Sequence, residues 1–275
     1  MQKPVAALIG LLLAGAAALA FGPELWNQLA PTAELPVPTE NNGVGKPVAS
    51  TIAAAPMLTG TFTLAISWQP AFCEQQSLKP ECADQKAGDF AADHFTLHGL
   101  WPEPQGNEYC GVSGRDEQAD KRGDWRNLPH LDLPAETRAR LETVMPGTAS
   151  YLQRHEWTKH GTCSGADPDT YFQAAMALLD SINASEVRDL FAGQLGETLA
   201  ANDIRAAFDK AFGSGSGSRV TVECGNDASR RLIDELRISI RGEVASKPDI
   251  LELLSNAAPR QRGCPQGIVD QVGLQ

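Results

Sequence analysis

Residues 61–68 read Thr-Phe-Thr-Leu-Ala-Ile-Ser-Trp, an alternating stretch rich in β-formers, and predict a strand. Residues 95–100 predict a second strand, which carries His98. Residues 219–223 and 232–240 alternate in the same way, and between Leu236 and Arg241 the charges fall on one face with period two. Elsewhere the period lengthens to that of a helix. One helix opens at Leu133-Pro134-Ala135-Glu136 and runs to about Met145, where Pro146-Gly147 ends it; others are predicted over 168–182, 185–192 and 202–212. Asp169, Glu186 and Asp203 each fall in a first turn, where a negative charge suits the helix dipole. Residues 106–133 mix Gly, Asn, Asp and Pro and predict an extended loop, and Gly213 to Ser218 predicts a flexible connection. Strands and helices occur in runs rather than in βαβ alternation. The pattern therefore predicts an α+β fold with a central antiparallel β-sheet flanked by helices, and no internal repeat is visible.

The first sixty residues follow a different pattern. Lys3 precedes an uncharged apolar run over 5–21 that ends in Ala-Leu-Ala-Phe, so residues 1–20 read as an export signal with a cleavage site after Ala20. The run is also at the short end of what spans a bilayer, so an uncleaved N-terminal membrane anchor is the alternative. Residues 21–58 are rich in Pro, Thr, Ala, Asn and Gly and bury too little apolar area to offset ordering, which makes them a flexible linker or tether. Residues 59–275 then form one catalytic domain, periplasmic or secreted, or held by the anchor facing the periplasm.

Six cysteines, Cys73, Cys82, Cys110, Cys163, Cys224 and Cys264, lie beyond the apolar run. In an oxidising compartment an even count predicts disulfides, with the pairing left open by the sequence. The net charge is −11, and removing residues 1–20, whose one charge is Lys3, makes it −12. So acidic a surface does not steer polyanions toward itself, which excludes nucleic-acid packaging and confines any RNA affinity to a local site.

Chemistry concentrates in two short segments. Thr96-Leu97-His98-Gly99-Leu100-Trp101-Pro102 and His155-Glu156-Trp157-Thr158-Lys159-His160-Gly161-Thr162-Cys163 hold three of the five histidines. Imidazole is the side chain best suited to exchange protons near neutral pH, and here it has a carboxylate and an ammonium beside it. These segments, HGLWP followed by HEWxKHGTC, resemble the two active-site segments of the ribonuclease T2 family, and Ser67-Trp68-Gln69-Pro70-Ala71-Phe72-Cys73 looks like the opening strand of its bacterial, ribonuclease I-like members.

The resemblance implies a disulfide-bonded α+β fold and a monomeric, metal-independent endoribonuclease that needs no cofactor. Such an enzyme cleaves single-stranded RNA, but not DNA, by transesterification to 2′,3′-cyclic phosphates. Residue by residue it makes His160 the base, His98 the acid, His155 a phosphate-binding or orienting group, and Glu156 and Lys159 stabilisers of the pentacoordinate phosphorus. It places Trp101, Glu103 and Tyr109 at substrate-binding positions, with Glu103 where Asp is more usual, and it pairs Cys73 with Cys82, Cys110 with Cys163 and Cys224 with Cys264. His94 and His130 lie outside both segments and read as surface or structural groups.

Three rival readings are weaker. A zinc-protease helix needs H-E-x-x-H, and the spacing here is H-E-x-x-x-H. Cys163 beside His160 could be a nucleophile, but a disulfide half suits an exported chain better. A non-catalytic relative that binds RNA or protein would be expected to have lost one of the five motif side chains. If 155–160 were helical throughout, Glu156 and His160 would share a face, and His155 and His160 would diverge by about 140°.

Overall fold

The computed structural model describes residues 57–274 apart from Asp84 and Gln261. The proposed signal or anchor, residues 1–20, and nearly all of the 21–58 linker lie outside them.

Strand β1 (Leu58–Ser67) leads into α1 (Gln69–Gln75) and α2 (Pro80–Ala83), and strand β2 (Thr96–Pro102) follows. Helices α3 (Gly114–Lys121), α4 (Ala135–Val144), α5 (Leu152–Lys159), α6 (Pro168–Asn183) and α7 (Glu186–Ala192) come next. Strand β3 (Thr198–Ala200), α8 (Ala201–Phe212), the hairpin β4 (Val220–Asp227) and β5 (Arg230–Val244), α9 (Ile250–Ser255) and β6 (Gln266–Ile268) complete the order. The sheet runs β2-β1-β5-β6-β3, with β4 on β5. Its ladders are antiparallel except where β5 meets β6 in parallel at Leu232 and Ile268.

Alternation along the strands decides which face is core. Phe62, Leu64 and Ile66 of β1 and Leu236, Ile238 and Ile240 of β5 are buried together. They pack with Tyr171, Phe172, Ala175, Leu178, Leu179 and Ile182, one stripe of α6 at helical spacing. Asp167 caps α6 by accepting from the Thr170 N–H, and Pro168 occupies its first turn. The opposite face of the sheet carries Thr63, Trp101, Arg237 and Ser239, which leaves it free to build a site.

The four predicted helices and four predicted strands are present with ends shifted by a few residues. Two expectations need correction. The segment 106–133 is not all loop, because Gly114–Lys121 is helical, capped by Ser113 accepting from the Asp116 N–H. It buries only Ala119 and Asp120, so it has no apolar stripe to reveal it. Likewise Gln69-Pro70-Ala71-Phe72-Cys73 is not strand: β1 stops at Ser67, and Pro70 in the first turn starts α1. All three disulfides have the pairing that the resemblance implies, Cys73–Cys82, Cys110–Cys163 and Cys224–Cys264, so Cys163 is no nucleophile.

Candidate active site

The first segment is β2, and a bulge sets its histidine apart. Across β1, Gly99 pairs with Ala65 and Leu97 with Ile66, which leaves His98 as the extra residue. A bulge of this kind re-aims a side chain. The second segment is the end of α5 and the turn beyond it. Helix α5 stops at Lys159, and His160 (φ −114°) already belongs to the turn. The expected divergence of His155 and His160 is therefore absent: their rings lie 6.2 Å apart, nearly perpendicular. The Cys110–Cys163 disulfide and a hydrogen bond from the Tyr109 N–H to the Lys159 carbonyl (2.9 Å) tie this turn to the loop after β2.

Glu156 is the centre of the cluster. It is fully buried, and its Oε2 accepts from Trp101 Nε1 at 2.9 Å. Its Oε1 accepts no hydrogen bond but lies 3.6 Å from His98 Nε2 and 3.7 Å from His155 Nε2. Burial raises its pKa, against the pull of His98 and His155. Trp101 stands between the two outer imidazoles, 5.4 Å from the His98 ring and 5.3 Å from the His160 ring.

Each histidine has its own environment. Burial lowers His160 to about 3, with the Lys159 ammonium and the other two imidazoles acting in the same direction. His98 goes the opposite way: burial pulls it down, but the Glu235 carboxylate, through charge and a 2.5 Å hydrogen bond to Nδ1, lifts it to about 9 with help from Glu156. His155 stacks on Trp125 at 4.6 Å, and its Nδ1 pairs with Asp120 at 2.7 Å. The Lys159 ammonium lies 3.7 Å from Glu108. His155, Glu156 and His160 offer ligand atoms within 4.8 Å of one another, so they could also hold one divalent cation.

Of the three expected substrate-binding residues, Trp101 belongs to the cluster and the other two lie around it. Tyr109 donates its hydroxyl to Asp120 (2.8 Å), and Glu103 accepts from Thr63 (2.6 Å) and lies 3.8 Å from Arg260. His94 pairs with Asp93 and His130 contacts the Leu131 carbonyl, both away from the cluster. Asp120, Trp125, Glu235 and Arg237 also belong to the site and carry no motif. Glu235 has no local signal, because β5 carries charges along its whole length, among them Asp234, Arg237, Arg241 and Glu243. A cleft of about 490 Å³ opens beside His98, lined in part by Phe72, Leu97, Trp125, Glu235 and Arg237.

Comparison with known proteins decides the family. The Ribonuclease T2 family profile matches residues 59–249. This chain belongs to the ribonuclease T2 family. It is 34% identical to Ribonuclease I of Escherichia coli over 68% of this chain and 77% of that protein. It is 27% identical to Ribonuclease MC of Momordica charantia, over 59% of this chain and 80% of the relative. A crystal structure of an RNase MC1 point mutant in complex with 5′-UMP shares the fold, with a TM-score of 0.50 and 21% identity, over 77% of this chain and 98% of that one. The ribonuclease T2 family match spans both histidine segments and five of the six cysteines.

Proposed function

We propose that residues 59–275 are the catalytic domain of an exported, metal-independent endoribonuclease that cleaves single-stranded RNA by transesterification, with little base preference. What carries this reading is the gathering of His98, His155 and His160 around Glu156 and Trp101, with the two outer imidazoles displaced in opposite directions, His160 to about 3 and His98 to about 9. At neutral pH the first is a free base and the second a protonated acid, the two forms the reaction requires.

His160 removes the proton of the 2′-hydroxyl, and the oxygen attacks the adjacent phosphorus. His98 protonates the departing 5′-oxygen as the P–O bond breaks, leaving a 2′,3′-cyclic phosphate. Because Nδ1 of His98 is committed to Glu235, the transferred proton is the one on Nε2. Lys159 and His155 offset the growing negative charge on the phosphoryl oxygens, and Glu156, whose pKa burial raises, stands 3.6 Å from the His98 ring nitrogen and 3.7 Å from that of His155 and holds these groups around the phosphorus. DNA lacks the attacking hydroxyl and is not a substrate.

Low base specificity fits the way the candidate base-binding groups are used. Trp101 gives its N–H to Glu156, Tyr109 gives its hydroxyl to Asp120, and Glu103 accepts from Thr63. The indole N–H and the phenol hydrogen are thus committed within the protein and are not left to read the edge of one particular base. Among the described residues no helix is long and apolar enough to cross a membrane; the proposed tether, residues 1–20, lies outside them. The test is incubation with RNA across pH 4 to 8 in excess EDTA, with the products analysed. Cyclic phosphates should form, DNA should survive, and His98→Ala and His160→Ala should each lower turnover by about 10² to 10⁴. Intact RNA, or activity that EDTA removes and a divalent ion restores through the His155, Glu156 and His160 cluster, would overturn the reading. Mass spectrometry of the secreted protein's N-terminus decides between cleavage after Ala20 and an anchor.

A further inference from the structure

Glu235 reaches the first histidine from two strands away. In the sheet, Ser67 of β1 pairs with Thr96 of β2 on one side and with Glu235 of β5 on the other. Neighbouring strands are about 4.8 Å apart, so a β5 side chain meets a β2 side chain only where the strand between carries something small. Ser67 is that residue, and the bulge turns His98 toward the gap.

Both oxygens of Glu235 are occupied. Oε2 takes the His98 Nδ1–H at 2.5 Å, and Oε1 accepts from Arg237 Nε at 2.6 Å. Arg237 is held in turn by Glu223 of β4 at 3.3 Å, and its guanidinium lies 5.3 Å from the Trp101 ring. The carboxylate is 10% exposed and is held at both oxygens. We propose that Glu235 is the positioning residue for the general acid: it commits Nδ1 of His98, aims Nε2 at the leaving oxygen, and with Arg237 sets the pH range over which that acid keeps its proton. This rests on the assignment of His98 as the acid.

The other charges around His98 do not substitute for it. Glu156, from α5, faces the Nε2 side at 3.6 Å without a hydrogen bond to it, and the same Glu156 oxygen lies 3.7 Å from His155, while Lys159 also acts on Glu156. On the β5 side Arg237 opposes protonation of His98. Without the Glu235 charge, burial and Arg237 would together favour a neutral ring.

The experiment compares pH profiles of kcat/KM for the wild type, Glu235→Gln and His98→Ala on two substrates: an RNA dinucleotide, and a uridine 3′-(4-nitrophenyl phosphate) whose leaving group needs no proton. Glu235→Gln should move the alkaline limb on the dinucleotide down by at least about 1 pH unit and leave the aryl ester within about threefold of wild type. An unmoved alkaline limb, or equal losses on both substrates, overturns the proposal. His98→Ala separates this from the parent reading: if it spares the aryl ester while Glu235→Gln leaves the limb in place, only the role of Glu235 fails. If it damages both substrates alike, the acid assignment itself fails. Nitrogen-15 spectra of the unmutated protein give an answer independent of any variant's folding. His98 should be doubly protonated at pH 7 with a strongly downfield Nδ1–H, and a neutral ring overturns the proposal.

Discussion

Gly99→Ala tests whether Glu156 is the pivot of the site. A Cβ at position 99 would lie 1.9 Å from Glu156 Oε2 and 2.6 Å from both Glu156 Cδ and Trp101 Nε1. Real Cβ contacts essentially never fall below 3.0 Å, so the carboxylate must retreat by more than 1 Å. It has nowhere comfortable to go, because it is fully buried and already lies 3.6 and 3.7 Å from two imidazoles. A shift of that size breaks the 2.9 Å hydrogen bond from Trp101. Overpacking costs about 1 to 3 kcal/mol, and losing a hydrogen bond to a charged group about 1.5 to 3, so the fold should lose roughly 2.5 to 6 kcal/mol. A misplacement of about 1 Å at the reacting centre costs on the order of 10² in rate.

Urea denaturation and kcat/KM on a dinucleotide measure the two effects separately. A double-mutant cycle with Glu156→Ala isolates the cause, because removing the carboxylate removes most of the clash. The stability cost of Gly99→Ala should then fall below about 1 kcal/mol. Wild-type activity in Gly99→Ala, or an undiminished cost in the Glu156→Ala background, would refute the reasoning.

Three further outcomes are expected. Wild-type kcat/KM should form a broad plateau, falling as pH drops toward about 3, where His160 gains a proton, and as it rises past about 9, where His98 loses one; a single narrow optimum near pH 6.5 would contradict this. Replacing Cys110 and Cys163 together by Ser opens a loop of 53 residues and should cost about 4 kcal/mol in urea unfolding, with activity falling more steeply than stability alone explains. Asp270 is 1% exposed, and burial first, then Glu74, raises it from 3.8 to about 6 against the pull of Arg230. A raised carboxyl favours the fold below its unfolded value of 3.8, and this contribution is lost as pH climbs through 6. Asp270→Asn should therefore stabilise by up to about 3 kcal/mol at pH 8 and by nothing near pH 3, read from denaturant midpoints.

Much of the molecule was legible in the chain because the signals were local. Alternation marked the strands that carry the sheet, and the amphipathic stripe of residues 168–182 marked the helix that covers it. The two histidine segments identified the family, since HGLWP and HEWxKHGTC each fit within nine residues. What escaped was polar or depended on distant contacts. The helix Gly114–Lys121 has no apolar face, yet it brings Asp120 to His155 and Tyr109. The helix Gln69–Gln75 differs from the opening strand that the resemblance implies for residues 67–73, and Pro70 in its first turn is the local reason.

The sequence by itself determined which residues can move protons, because residue type and short-range spacing set that chemistry. Only the tertiary structure decided how far apart their proton affinities lie. A side chain's proton affinity depends on burial and on charges a few ångströms away, and the charge that distinguishes His98 from His160 stands 137 positions along the chain, at Glu235. A bulge, a small residue at Ser67 and the end of a helix at Lys159 place those groups together. None of these can be read from two motifs, because each depends on which strand lies beside which.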